Sequence, residues 1–294
     1  MNIALTGANG SIGRELRPFL KHQGHNVFSI STSAPSDGKL SFTYEELIGK
    51  TINVKIDIFL HLASINSNLK EEEINKEIKL TKDMLLSLPA LNCKKLIFFS
   101  SAKVYGDNST SKVFYSEDDD LNPRCAYGKA KKLSEELIQH KSSSMGIKSI
   151  ILRLPPVLCK STNSNLGKLI KFSQRKIPLP IFAQGFKNQR SILSLNNLKT
   201  IINYAIQNNE SFFDNEIYNA SDSEFISISE LLNAAGNSKI FFIPENFSKL
   251  FFKLPLIKTM LLKLYGNFVL DNSKLQSILD VKLKTTYQSL KLDR

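Results

Sequence analysis

Apolar runs of strand length alternate with stretches whose apolar residues recur every three or four positions, and this alternation fills the first half of the chain. Asn2 to Thr6 predicts a buried strand, followed by a glycine turn and a helix from about Ile12 to Gln23. Asn26 to Ile30 predicts the second strand. Lys39 to Phe42 predicts a weaker third, ahead of a short helix at Tyr44 to Ile48. Val54 to His61 is the fourth, followed by a charged helix from about Glu71 to Ser87. Lys95 to Ser100, a helix at roughly Ala126 to Lys141, and Ser149 to Leu154 complete the series. Strands linked through helices by short connections give an α/β chain with a doubly wound parallel sheet.

After Pro155-Pro156 the periodicity breaks into shorter elements punctuated by Pro178, Pro180, Pro244 and Pro255. The expected organisation is a dinucleotide-binding domain at 1–156 and a smaller, mainly substrate-binding lobe at 157–294. That boundary is soft, because some elements return to the first domain. Composition narrows the classes further. With 42% hydrophobic residues among 294, the chain can bury a full core. Three Cys and four His without a ligand cluster argue against a metal site. No apolar run reaches the roughly 18 residues of a membrane span, and the first residues lack the pattern of a signal peptide. A cytoplasmic location is the expectation.

The 39 basic and 27 acidic side chains leave a net charge of +12. Such a charge raises the alternative of a non-catalytic dinucleotide-sensing or nucleic-acid-binding protein. The basic residues are spread along the chain rather than clustered with aromatics, so the expectation is no nucleic-acid partner. Phe247 to Tyr265 alternates Lys249, Lys253, Lys258 and Lys263 with apolar residues, a pattern suited to peripheral contact with an anionic membrane.

Chemistry concentrates at the ends of the predicted strands. Gly7, Asn9, Gly10, Ser11, Ile12 and Gly13 lie where the first strand hands over to the first helix. Glycines permit a tight turn there and close approach of a pyrophosphate, while the helix N-terminus offers N–H groups and partial positive charge. The spacing is GxxGxxG rather than GxGxxG. The second strand ends in Ser31-Thr32-Ser33 instead of the acidic residue that binds the ribose 2′-hydroxyl of NAD. No carboxylate repels a 2′-phosphate and no arginine neutralises one, so the cofactor is written NAD(P)(H).

Tyr127 and Lys131 stand at i and i+4 on the fourth predicted helix, hence on one face. A phenol with its ordinary pKa near ~10 is a poor base at neutral pH, and an ammonium one turn away favours the phenolate. Ser101 follows the fifth strand, at the carboxyl end where doubly wound sheets bind ligands. Its hydroxyl can hold a substrate oxygen while Tyr127 moves the proton. Its structural alternative is a strand-end cap.

Together these features resemble the extended short-chain dehydrogenase/reductases of the NAD-dependent nucleotide-sugar epimerase/dehydratase group. The glycine loop, His61-Leu62-Ala63-Ser64, Ser101, the Tyr127/Lys131 pair and Arg153-Leu154-Pro155-Pro156 carry the resemblance. It implies a Rossmann-type fold with Ser101, Tyr127 and Lys131 as catalytic residues. Ser31, Leu62, Ala63, Ser64, Lys131 and Leu154 join the glycine loop as implied cofactor contacts. Ser101, Lys103, Asn165, Phe182 and Arg190 are the implied substrate contacts, the substrate being a UDP-sugar, and a homodimer is the implied assembly. Departures are Ala102 and Lys103 where 4,6-dehydratases carry acids, Ala130 within YxxSK, and Glu77 where 4-epimerases often have asparagine. Ser100-Ser101-Ala102-Lys103-Val104, Pro178-Leu179-Pro180 and Asn188-Gln189-Arg190-Ser191 resemble bacterial reductases of surface-polysaccharide synthesis. Those act on UDP-4-keto-6-deoxy-N-acetylhexosamines. The readings carried forward are a 4-keto-sugar reductase and, as the alternative, a UDP-sugar 4-epimerase holding NAD tightly.

Overall fold

The computed structural model describes residues 1–32, 40–49, 54–65, 68–107, 114–159, 170–171, 178–182, 188–207, 212–236, 239–244, 247, 261–262 and 265–292. Its elements begin β1 (Asn2–Thr6), α1 (Gly13–His22), β2 (Asn26–Ser31), β3 (Ser41–Thr43), α2 (Tyr44–Ile48) and β4 (Ile58–His61). A single 3₁₀ turn at Glu71–Glu73 leads into α3 (Ile74–Ser87), then β5 (Lys95–Ser101) and a second such turn at Ala102–Val104. There follow β6 (Phe114–Tyr115), α4 (Ala126–Met145), β7 (Lys148–Leu154), β8 (Val157–Leu158), β9 (Leu179–Phe182) and β10 (Leu193–Ser194). The chain continues through α5 (Leu195–Gln207), β11 (Glu216–Asn219), α6 (Ile228–Ala234), β12 (Ile240–Ile243), β13 (Val269–Leu270), α7 (Ser273–Ile278) and α8 (Thr286–Leu292).

Seven strands form the main sheet in the order β11-β7-β5-β4-β1-β2-β3. Pairing is parallel from β3 through β7. The chain order reverses beside β1, which creates the switch point where open α/β sheets bind ligands at the carboxyl ends of their strands. Residues Ile3 to Thr6 of β1 are all buried, as a strand covered on both faces requires. Ala4, Phe28, Phe59, Phe98 and Ile151 fill one face together with Leu47, Met84, Leu85 and Ile138 from the helices.

Strand β4 is shorter than its apolar run predicts. Asn2 donates its N–H to the Asp57 carboxylate at 2.8 Å and its side-chain amide to the Lys55 carbonyl at 2.9 Å. These bonds, with the Asp57 N–H donated to the Asn2 carbonyl at 2.8 Å, hold the approach to β4, whose paired residues start at Ile58. Lys39, expected in the third strand, lies outside the described residues.

The chain forms two compact units. One comprises Met1–Gly106, Leu121–Leu154 and Ile201–Tyr218; the other comprises Asp107–Asp120, Pro155–Thr200 and Asn219–Arg294. Two segments therefore fall on the other side of the 156/157 division read from the sequence. Residues 201–218 belong with the first unit because β11 adds to the sheet beside β7 and Ile217 packs on its core. Residues 107–120 belong with the second because β6 pairs with β13. The second unit has its own core, with Leu158, Ile181, Ile192, Leu231, Leu232 and Tyr265 in one cluster. No described helix is long and apolar enough to cross a membrane.

Candidate active site

Gly7 follows β1 in the left-handed region, at φ +66°. Its carbonyl accepts the Gly10 N–H at 2.9 Å and closes the turn. A Cβ on Gly13 would lie 2.2 Å from that same carbonyl, so only glycine lets α1 start so close to the turn. No side chain caps the N-terminus of α1. Asn9, Gly10 and Ser11 are exposed, while Ile12 is half-buried.

The turn rests against the loop after β4. Thr6 Oγ1 accepts N–H bonds from Leu62 and Ala63, each at 3.0 Å, and lies 2.9 Å from His61 Nδ1. His61 is fully buried; burial, reinforced by the Lys131 charge, pushes its imidazole down to about 3, so the ring is neutral. Ser64 Oγ, in this same loop, is buried with no hydrogen-bond partner among the described residues. An uncapped helix start, a close glycine turn and an orphaned hydroxyl fit the phosphate and ribose groups of a dinucleotide. Ser31 is the last residue of β2 and is half-buried.

Ser101 ends β5 opposite Leu154 of β7, and both are buried. Its Oγ accepts the Lys103 N–H at 3.2 Å and caps the turn, which leaves its own O–H to donate. Helix α4 begins against this turn. A Cβ on Gly128 would come within 2.5 Å of the Lys103 carbonyl, so the residue after Tyr127 must be glycine for the two to pack. The inward face of α4 carries Lys131, Ser134 and Glu135, a polar stripe where a hydrophobic one is the rule.

Lys131 Nζ lies 5.7 Å from the Tyr127 ring centroid and 4.9 Å from that of Phe98. The i, i+4 reading thus holds in space. It is incomplete, because the ammonium is already paired: Glu77 Oε1 stands 3.2 Å away and both side chains are buried. Glu77 Oε2 accepts the Ile65 N–H at 2.7 Å, which ties α3 to the loop after β4. The sequence marked Glu77 as a departure without giving it this role. Its signal was there: Glu77, Thr81, Met84 and Leu85 share the buried stripe of α3 at i, i+4, i+7 and i+8.

One turn beyond Lys131, Glu135 meets Arg153 of β7. Arg153 Nη2 donates to Oε2 at 2.8 Å, its Nε is 3.2 Å from both oxygens, and its Nη1 donates to the Tyr105 hydroxyl at 2.9 Å. The Ser100 hydroxyl also donates to Glu135.

In the second unit, Arg190 pairs with Ile226 and Phe268 through its backbone and donates from Nη2 to the Gly266 carbonyl at 3.1 Å. Burial lowers its guanidinium to about 10, against the opposing pull of Tyr265. Lys103 is half-buried. Asn165, the side chain of Phe182, and most of Phe247 to Tyr265 lie outside the described residues.

Comparison with known proteins bears on the fold and the family. UDP-glucose 4-epimerase of Vibrio cholerae is 24% identical over 244 residues, which are 79% of this chain and 74% of its own. The spore coat polysaccharide biosynthesis protein SpsK of Bacillus subtilis is 25% identical over 185 residues, 61% of each chain. The solved UDP-N-acetylglucosamine 4-epimerase of Bacillus cereus has the same fold, with a TM-score of 0.77 at 19% identity over 100% of this chain and 99% of that one. The model of the NAD dependent epimerase/dehydratase family matches residues 3–221, from β1 through β11. That span holds the central sheet but for Asn2, the glycine turn and the Tyr127/Lys131 helix, and the chain belongs to the NAD dependent epimerase/dehydratase family.

Proposed function

We propose that the protein catalyses hydride transfer at C4 of a nucleotide-linked, UDP-type hexose, in the direction of 4-keto-sugar reduction. The observation that carries the chemistry is the buried Lys131 ammonium beside the Tyr127 ring, on a helix packed against the turn after Ser101. When bound, the nicotinamide dinucleotide supplies or takes the hydride. The turn from Gly7 to Gly13, including Asn9, Gly10, Ser11 and Ile12, would hold its pyrophosphate. Ser31, Leu62, Ala63, Ser64 and Leu154 would contact the remainder, and Lys131 would hold a ribose hydroxyl. Tyr127 Oη moves the proton to or from the sugar oxygen, and Ser101 Oγ–H steadies that oxygen. Arg190 is proposed for the diphosphate, because a guanidinium matches phosphate oxygens in pairs. Lys103, Asn165 and Phe182 are proposed as further substrate contacts.

The direction of reduction is supported by Ala102 and Lys103 after Ser101, which resemble the polysaccharide reductases, and the likeness to SpsK supports a place in polysaccharide synthesis. The second reading, 4-epimerisation, has its own support in the names of the Vibrio and Bacillus cereus relatives. One experiment separates them: a panel of UDP-sugars and UDP-4-keto-sugars, followed by nicotinamide absorbance and product mass. Stoichiometric consumption of added reduced cofactor with a 4-keto-sugar supports reduction. Product epimers formed without net cofactor change, with NAD released only on denaturation, overturn that direction in favour of epimerisation. No turnover of any member overturns both.

A further inference from the structure

Glu77 is a buried charge that the chemistry above does not use. It is 2% exposed, and each of its oxygens is committed, one to Lys131 and one to the Ile65 N–H. The neighbouring lysine of α4 meets its carboxylate at the surface, Lys129 with Glu71 at 45% and 63% exposure. Ion pairs there are screened by water, whereas a pair withdrawn from water keeps its field.

The consequence falls on Tyr127. A lone ammonium 5.7 Å from the ring would stabilise the phenolate strongly. An ammonium with a carboxylate 3.2 Å away presents a dipole, whose field fades faster with distance. The other groups on the elements packed around α4 do not replace that charge. His61 on β4 is neutral. Ser101 on β5 is a neutral hydroxyl, and Thr81 on α3 donates to Ser134 on α4. Glu135 and Arg153 close on each other. Lys103, on the turn that receives α4, carries a cation that all variants below retain.

We propose that Glu77 is a positioning residue that neutralises Lys131 and keeps the Oη proton on Tyr127, so that the phenol stands ready as a donor to a carbonyl oxygen. This rests on the hydride-transfer reading of the site and deepens it, because a retained proton suits reduction. Its test needs neither sugar nor cofactor. Tyrosine ring carbons are labelled and titrated by NMR, with Y127F identifying the resonance. In E77Q the Tyr127 transition moves to lower pH by about one unit, a roughly tenfold change in proton affinity. In a K131M background the same E77Q change moves it by less than about a third of a unit. An unchanged transition in E77Q, or an equal shift with and without Lys131, overturns the proposal. Should E77Q not fold, the E77Q/K131M protein carries the test, since it buries no unpaired ion. Its transition stays within about half a unit of the parent's if the pair is neutral as proposed, and rises beyond that if the ammonium's field reaches Tyr127 unopposed. A failed titration leaves the UDP-sugar reading standing, and inactivity on the sugar panel leaves the titration standing.

Discussion

Two buried ion pairs hang from α4 one turn apart, and they are built differently. Glu135 receives Arg153 through three contacts, and Arg153 Nη1 donates to the Tyr105 hydroxyl, so the guanidinium is held from more than one side. Burial works against the Arg153 charge, yet the bonds to Glu135 outweigh it and raise the guanidinium above its ordinary value. Lys131 and Glu77 share a single contact, and both can change charge state, which a guanidinium cannot. The ammonium also keeps donors uncommitted among the described residues. One pair is a fixed brace between helix and sheet. The other is an adjustable charge beside a phenol.

Mutation should separate the two pairs. Replacing Lys131 by Met should lower turnover by roughly 10²–10⁴. Its stability cost should stay below that of breaking the brace, because the stranded Glu77 can take up a proton. Steady-state kinetics and denaturant melts on one preparation check both halves. Glu135→Ala should instead destabilise by about 3–5 kcal/mol, since it strands a buried guanidinium. Replacing both partners, Glu135→Leu with Arg153→Met, should recover most of that loss. A melt in which K131M falls further than E135A would erase the distinction.

Acid sharpens the comparison from another side. His61 titrates at about 3 when folded against an ordinary 6.5, chiefly through burial. Between those values the unfolded chain binds a proton that the folded chain does not, so stability falls as pH drops. The slope should reach about 1.4 kcal/mol per pH unit below pH 6 and flatten in His61→Asn, as measured by urea melts at stepped pH. It should persist in K131M, because burial and not the ammonium is the main cause. The smallest effect belongs to the exposed pair that Lys129 of α4 makes with Glu71 on the turn before α3. Glu71→Gln should cost no more than about 0.5 kcal/mol and leave turnover unaltered.

Much of the first unit was legible because its strands are continuous apolar runs bounded by glycine or charge. β1 and α2 match their sequence ranges, and β2, β5 and β7 differ by one residue. β6 and β8 to β13 were not foreseen, since strands of two to four residues carry too few positions to show a period and pair with distant segments. The site divides in the same way. Glycine spacing and the i, i+4 relation are local and could be read, so the turn from Gly7 to Gly13 and the placement of Tyr127 beside Lys131 agree with the sequence expectation. The partner of Lys131 sits on another helix, behind the solvated run Glu71, Glu72 and Glu73, and only packing brings it in. Arg153 was read as part of a strand-end motif, whereas the structure makes it the brace.

The central claim is that Tyr127 moves the proton in the chemical step. Single-turnover rates of the parent and Tyr127→Phe on the reactive UDP-sugar, with cofactor affinity measured on the same samples, test it most directly. The account predicts a rate at least about a hundredfold lower with cofactor affinity retained. A rate near the parent's, with cofactor bound equally well, would contradict it.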